Sequence, residues 1–436
     1  MVTLAGLGCV LFCFALFARR VEGTVITAPM VFVSAGLVAG LTGLVDFGSA
    51  AHGEGSSEAT HEVVLVVAEL ALVLLLFTDA ARLNPQALRG NALPLRLLCI
   101  GLPLTIALGT AVAVALLSDL TLWECAIVAA VLAPTDAALG QAVVSNPALP
   151  LRVRQGLNVE SGLNDGGSVP FLTLFIGLAA AEEGLGGGWL RFAVEQIGYG
   201  TLIGAAAGVA GGVVLRRASA RGWTVPLFEK LAFAALAVIT FVAADEVGGN
   251  GFIAAFVGGG AAGMAAGPVT ARALDFAEED GELLNLAVFF IFGVFASHAL
   301  GDAGWQVVAY AVLSLTLIRM LPVAVAVIGL GLRPATVGFL GWFGPRGLAS
   351  IILALVVVED APALQGLEQI FAVMTVTVLL SVFAHGITAA PLSRRFAGAS
   401  KAAGAEEPEH EPVIELPTRW SGAGEAPPPV AHPLRP

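Results

Sequence analysis

Residues 156–167 read GLNVESGLNDGG, which places two carboxylates, an amide and a hydroxyl inside an otherwise apolar stretch. Glu160 and Asn164 are four apart, as are Ser161 and Asp165, so on a helix all four project from neighbouring strips of one face. An ionised side chain near a bilayer centre costs about 2.5 to 3.5 kcal/mol on insertion scales. A chain that accepts this cost twice within about a turn and a half is using those groups. The pattern points to an ion transporter.

Composition agrees that the surroundings are a membrane. Of 436 residues, 57% are hydrophobic and only 12% are charged, against about a quarter in soluble globular domains. The 53 glycines fall inside apolar runs as well as between them, as in membrane helices whose backbones approach closely. The net charge of -12 comes from acidic loops and an acidic tail, and does not by itself imply a partner. Cys9, Cys13, Cys99 and Cys125 have the spacing of neither a metal site nor a disulfide framework, and are expected to pack as small apolar groups. The first apolar run lacks a basic n-region and is followed by Arg19 and Arg20, so it is expected to be a retained helix rather than a signal peptide.

About 20 apolar residues cross a bilayer as a helix. On that ruler thirteen spans are expected, near 1–18, 25–45, 62–81, 94–117, 122–144, 155–181, 193–217, 226–245, 250–268, 283–300, 304–331, 336–358 and 366–390. Loops after odd spans carry basic residues, among them Arg19, Arg82, Arg89, Arg152, Arg154, Arg216, Arg217, Arg221, Lys230, Arg272, Arg333, Arg394, Arg395 and Lys401. Loops after even spans carry Asp46, Glu54, Glu58, Asp119, Glu124, Glu182, Glu183, Asp245, Glu246, Asp302, Glu359 and Asp360, with Arg191 the one basic exception. The positive-inside rule then puts the N-terminus outside and the C-terminus in the cytoplasm. The transmembrane domain is expected over 1–395, and the Pro-, Glu-, Ala- and Gly-rich residues 396–436 as a disordered cytoplasmic tail.

Two spans should be broken. Span five has Pro134 at its middle followed by Thr135 and Asp136, and span twelve has Gly344, Pro345, Arg346 and Gly347 in its first half. Open backbone at that depth is tolerated only where it is buried in protein or lines a wet cavity. The two breaks become equivalent if residues 1–181 and 226–390 are repeats, inverted by the intervening seventh span. Interrupted helices at matching places in two halves mark the site of a secondary transporter.

APTDAALG in span five, VESGLNDG in span six, GNGFIAAFVGG in span nine, IRMLP in span eleven and GPRG in span twelve together resemble sodium/proton antiporters. The likeness is to the electroneutral, NhaP-like branch of the cation–proton antiporter superfamily, from about residue 60 to 390. It implies an all-α polytopic membrane protein of the cell (inner) membrane. This would be a homodimer in a lipid bilayer that exchanges Na⁺, with Li⁺ and K⁺ as alternatives, for H⁺ by alternating access. No cofactor and no nucleic acid is implied.

A carboxylate that binds either a hard cation or a proton couples the two fluxes by competition, and Asp165 is the residue expected to do so. Asp136, with the oxygens of Thr135 and Ser161 and unwound backbone carbonyls, would complete the Na⁺ shell. The resemblance implies one proton per cation, because Asn164 stands where electrogenic relatives have a second Asp. It also implies that Glu69 of span three holds Asn164, and that Glu160 and Arg319 form a salt bridge supporting span six. Arg346 is expected either to neutralise the C-terminal end of a broken helix or to line the cytoplasmic mouth. His298 and His385, near span ends, are expected to pack. A cation channel would need a continuous polar pore where the sequence has one compact polar cluster. A membrane protease would need a metal pair such as HExxH, a Ser/His dyad or two catalytic Asp in their own motifs; no HExxH occurs, and the Asp pair sits in antiporter context.

Overall fold

The computed structural model describes residues 2–21, 24–45, 58–83, 91–136, 139–182, 188–299, 304–403, 407–413 and 415. Among these there is no strand, and each of the thirteen expected spans is a helix or a broken helix. They are α1 (Val2–Val21), α2 (Ala28–Leu41), α3 (Glu58–Arg82), α4 (Ala92–Leu116), α5a (Leu122–Val131) with α5b (Gln141–Val144), α6 (Leu151–Glu182) and α7 (Trp189–Ala220). There follow α8 (Pro226–Asp245), α9 (Gly251–Ala266), α10 (Pro268–Ala299), α11a (Trp305–Leu315) with α11b (Leu317–Ala326), α12a (Pro334–Trp342) with α12b (Leu348–Asp360), and α13 (Leu367–Ala403). Among the described residues seven helices are long and apolar enough to cross a membrane, and four shorter apolar helices accompany them.

The helices sort into two bundles. α2, α3 and α7–α10 pack chiefly on one another, while α4–α6 and α11–α13 form the second group. The first is drawn tight by small residues. Gly200, Gly204, Gly208 and Gly212 recur every four residues along α7, and a Cβ at any of them would run into the α9 backbone at Asn250, Ala254, Gly258 and Ala262. The second bundle contains both helix breaks and the polar stretch of α6. A seam of Phe292, Phe295, Ile351, Leu355 and Phe371 lines part of the boundary between the two.

Contacts between loops follow the expected parity. Arg272, after span nine, donates to Glu229 at the start of α8, and Arg96 at the start of α4 donates to the Ile328 carbonyl after α11b. On the other side Glu124, at the start of α5a, accepts from the Gly366 N–H before α13 at 2.7 Å. Glu124 also closes a capping box with Thr121, so one carboxylate fixes two helix starts.

Three expectations are corrected. α13 runs to Ala403, so Arg394, Arg395 and Lys401 lie in a helix. Residues 407–413, expected to be disordered, include a 3₁₀ turn (Pro408–His410) whose Glu409 is buried. Of the cysteines only Cys125 is packed in the interior, whereas Cys9, Cys13 and Cys99 are exposed on outward faces of their helices. Finally, α4 and α11, the fourth spans of the two expected repeats, are both irregular. α4 widens to a π turn at Leu97–Gly101 just before Pro103, and α11 breaks at Thr316 with φ -116 and ψ -96. Asp46, Glu54, Arg89, Glu183, Asp302 and residues 416–436 lie outside the described residues.

Candidate functional site at two crossed helix breaks

α5a ends because Pro134 has no N–H to continue the ladder. Leu132 and Ala133 still donate back to Val128 and Ala130, but the carbonyls of Ala133 and Pro134 have no helical partner. α12a stops at Trp342, and five residues around Pro345 pass before α12b begins at Leu348. The end of α5a is therefore electronegative and the start of α12b electropositive. Each is answered by a charged residue from the other break. Arg346, with no exposed surface, donates through Nη1 to the carbonyls of Ala133 and Pro134. Asp136 Oδ2 accepts from Leu348 N at 2.9 Å, while Asp136 N donates to the Pro345 carbonyl at 2.7 Å. Arg346 thus belongs to the interior of the crossing and not to a solvent-lined mouth.

α13 braces this crossing. Ser381 Oγ accepts from Arg346 N at 2.6 Å, and His385 Nε2 lies 2.9 Å from the Trp342 carbonyl at the end of α12a. The fully buried His385 ring also packs on the Trp342 indole. Its place is thus a specific bracket at the helix break, a role that no local pattern announces. His298 is different: it sits near the end of α10 with Ser297 Oγ 3.3 Å from its Nδ1.

The polar face of α6 grips the break in span five. Asn164 Nδ2 donates to Thr135 Oγ1 at 2.7 Å, its Oδ1 accepts from Thr135 N at 3.2 Å, and Ser161 Oγ donates to the Thr135 carbonyl. Thr135, Asp136 and Ser161 line one small cavity with Val143, Leu157 and Phe343, with room for about one water-sized occupant. Asp165, 2% exposed, stands one turn beyond Ser161 on the same helix. Three of the four expected ligands therefore share a cavity, and the fourth is next along α6. Glu160, on the flanking strip, receives a two-pronged bond from Arg319 of α11b, with Nη2 2.7 Å from Oε2.

A family model described as "Sodium/hydrogen exchanger, transmembrane" matches residues 8–395. The chain belongs to that family. It is 26% identical over 397 residues to a protein of Alkalimonas amylolytica named K(+)/H(+) antiporter NhaP, a match covering 88% of this chain and 65% of that protein. The chain thus spans less than two thirds of that curated relative's length. Its fold matches a structure of the sodium proton antiporter MjNhaP1 from Methanocaldococcus jannaschii at pH 8, with TM-score 0.74, 18% identity, and coverage of 91% of this chain and 99% of that one. An electron-microscopy structure of the same antiporter gives TM-score 0.68 at 18% identity, over 91% and 97% of the two chains. At that identity the likeness speaks for the exchanger fold alone.

Within this exchanger fold Asn164 has a partner that the resemblance did not imply. Asn164 is held in part by its two hydrogen bonds to Thr135, and Glu69, which the resemblance implied as its partner, is half-buried on α3. An α3 carboxylate that faces α6 is Asp79, 6% exposed, whose Cγ lies 3.5 Å from where a Cβ on Gly162 would sit. Asp79 is thus at the boundary between the two bundles, one residue from Ser161 in height along α6. Its signal was available in the sequence: like Glu69, it is an acidic residue in a long apolar run.

Gly347 allows the breaks to touch. A Cβ there would overlap the Asp136 carboxylate. Gly347→Ala must therefore displace Asp136 from Leu348 N. The expected result is an apparent cation affinity about tenfold weaker, roughly 1.4 kcal/mol, with normal expression. The concentration dependence of exchange in proteoliposomes checks it, and an unchanged half-saturation would show that Asp136 need not hold this position.

Proposed function

We propose that this chain exchanges a monovalent cation for a proton across the cell membrane by alternating access, with Asp165 binding either ion in turn. The observation that carries the reading is the pair of crossed breaks, neutralised by Asp136 and Arg346, beside the buried acidic face of α6. Asp136 and the oxygens of Thr135 and Ser161 contribute the other cation ligands. Glu160, Arg319, Asn164 and Arg346 fix the frame that presents them. Access alternates as the second bundle, which holds the breaks, moves against the first along their apolar seam. The protein works as a homodimer.

We infer Na⁺ as the cation, moved one for one against H⁺. Asn164 is an amide that takes up no proton, and its bonds to Thr135 give it a structural task. K⁺ is the second reading, favoured by the printed name of the Alkalimonas relative. Ion-driven pH change in proteoliposomes, with Na⁺, K⁺ and Li⁺ in turn and at imposed voltage, tests both points. An electroneutral Na⁺ exchanger responds to Na⁺ and is indifferent to voltage. A rate that follows voltage would remove the one-for-one stoichiometry, and cation flux without proton movement would remove exchange itself.

A further inference from the structure

Beyond Ala403 the chain returns to the face that carries the basic loops. Arg152, at the start of α6, donates to the Pro408 carbonyl at 2.7 Å and pairs with Glu411 at 2.8 Å, and Arg154 pairs with Glu415 at 3.3 Å. Arg333, just before α12a, pairs with Glu407 at 3.5 Å. Glu409, 2% exposed, accepts through Oε1 from Arg333 N at 3.0 Å and Thr336 Oγ1 at 2.6 Å. His410 Nε2 lies 3.1 Å from Ser400 Oγ of α13. Burial pushes the Glu409 carboxyl up, but the bonds from Thr336 and the Arg333 backbone outweigh it. Its pKa is held below the ordinary carboxylate range, and the group is anionic at neutral pH.

This segment is therefore an acidic ligand seated on a basic cradle of its own chain. Its grip has two parts that respond differently to salt. Glu409 is a buried anchor, whereas the partners Glu411 and Glu415 are 62% and 52% exposed, so their pairs weaken as ionic strength rises. The position is also specific. The cavity lies between Leu157 and Ser161 of α6 on one side and Phe343 and Pro345 beyond α12a on the other. Arg152 and Arg333 are at the ends of those two helices, on the face from which both run inward to the cavity. Separating those ends, to widen a path between them, requires the segment to let go of one.

We propose that Glu407–Glu415 forms a salt-releasable strap that holds the ends of α6 and α12a together and slows exchange, a regulation that rests on the exchange reading above. The test is the full chain carrying Glu407→Lys, Glu409→Lys and Glu411→Lys, reconstituted beside the parent protein. Docking is read by protease cleavage of the segment, and exchange by cation-driven pH change, each with and without raised choline chloride on the strap side. The parent should be protected and slow at low salt, and become cleavable and about threefold faster at high salt. The triple variant should be cleavable and fast at both, with salt having no further effect. Arg152→Glu combined with Glu411→Arg should restore protection and the slow rate relative to Arg152→Glu alone. If the variant is cleavable yet exchanges at the parent's rate or slower, the strap is not inhibitory. If it remains protected, the docking itself is wrong. A parent that docks its strap but exchanges nothing overturns the exchange reading, and this regulation with it.

Discussion

Asp165→Asn is expected to abolish cation-driven proton movement while leaving the protein folded. The exchange of carboxylate for amide keeps size and shape, and three neighbouring hydrogen bonds are made without the Asp165 side chain. Ser168 Oγ donates to its backbone carbonyl at 2.9 Å, and Asn164 and Ser161 hold Thr135 without it. What is lost is chemical. An amide can neither take up and release a proton nor offer a negative charge to a hard cation at a site that is 2% exposed. If Asp165 is the shared carrier, both fluxes stop together, because competition for one group is what couples them. The measurement is pH change on addition of Na⁺ or K⁺ to proteoliposomes, with a size-exclusion profile as the control for folding. Partial exchange in a well-folded variant would assign the coupling to another acid, with the buried Asp136 and Asp79 as candidates.

The same positions show how far the amino-acid pattern reaches. The thirteen spans follow from apolar run length and loop charge, both set by the surrounding solvent, so they are legible one segment at a time. Proline makes the breaks in spans five and twelve equally local. That Glu160 and Arg319 each need a partner is legible because neither charge could survive alone at that depth, while their pairing with each other is what the family resemblance implies. Contacts that depend on which helix faces which are another matter. Glu69 and Asp79 are both acids on one apolar helix, ten residues apart, and only the packing of α3 on α6 shows that Asp79 is the one opposite Gly162. His385 offers only a lone histidine late in a span until α13 is seen to lie against Trp342. Residues 407–415 have a composition that cannot form a core alone. They are held by basic residues more than 70 positions away in sequence, so no local property of the segment announces its docking.

Arg319→Ala should be the most destabilising single change in the membrane part. Its guanidinium and the Glu160 carboxylate are 3% and 1% exposed and meet through two parallel bonds. Truncating one partner leaves the other charged and buried, a loss of about 3 to 5 kcal/mol in comparable cases. The guanidinium also fills the space beside Gly344, where a Cβ would collide with it, so its removal loosens the break in span twelve as well. The expected result is a sharp fall in yield and melting temperature in detergent, with exchange lost in proportion to folded protein. The informative partner is the double variant Glu160→Gln, Arg319→Met, which removes both charges and nearly keeps volume. Because desolvating two charges offsets much of their attraction, that variant should regain most of the stability lost by Arg319→Ala, a strongly non-additive outcome. Exchange then separates two roles. If the pair is a brace for α6, the double variant recovers transport along with stability. If the double variant folds normally but stays inactive, the charges themselves take part in the transport cycle, and Glu160 must be counted with Asp165 and Asp136 among the acids that the moving ions feel.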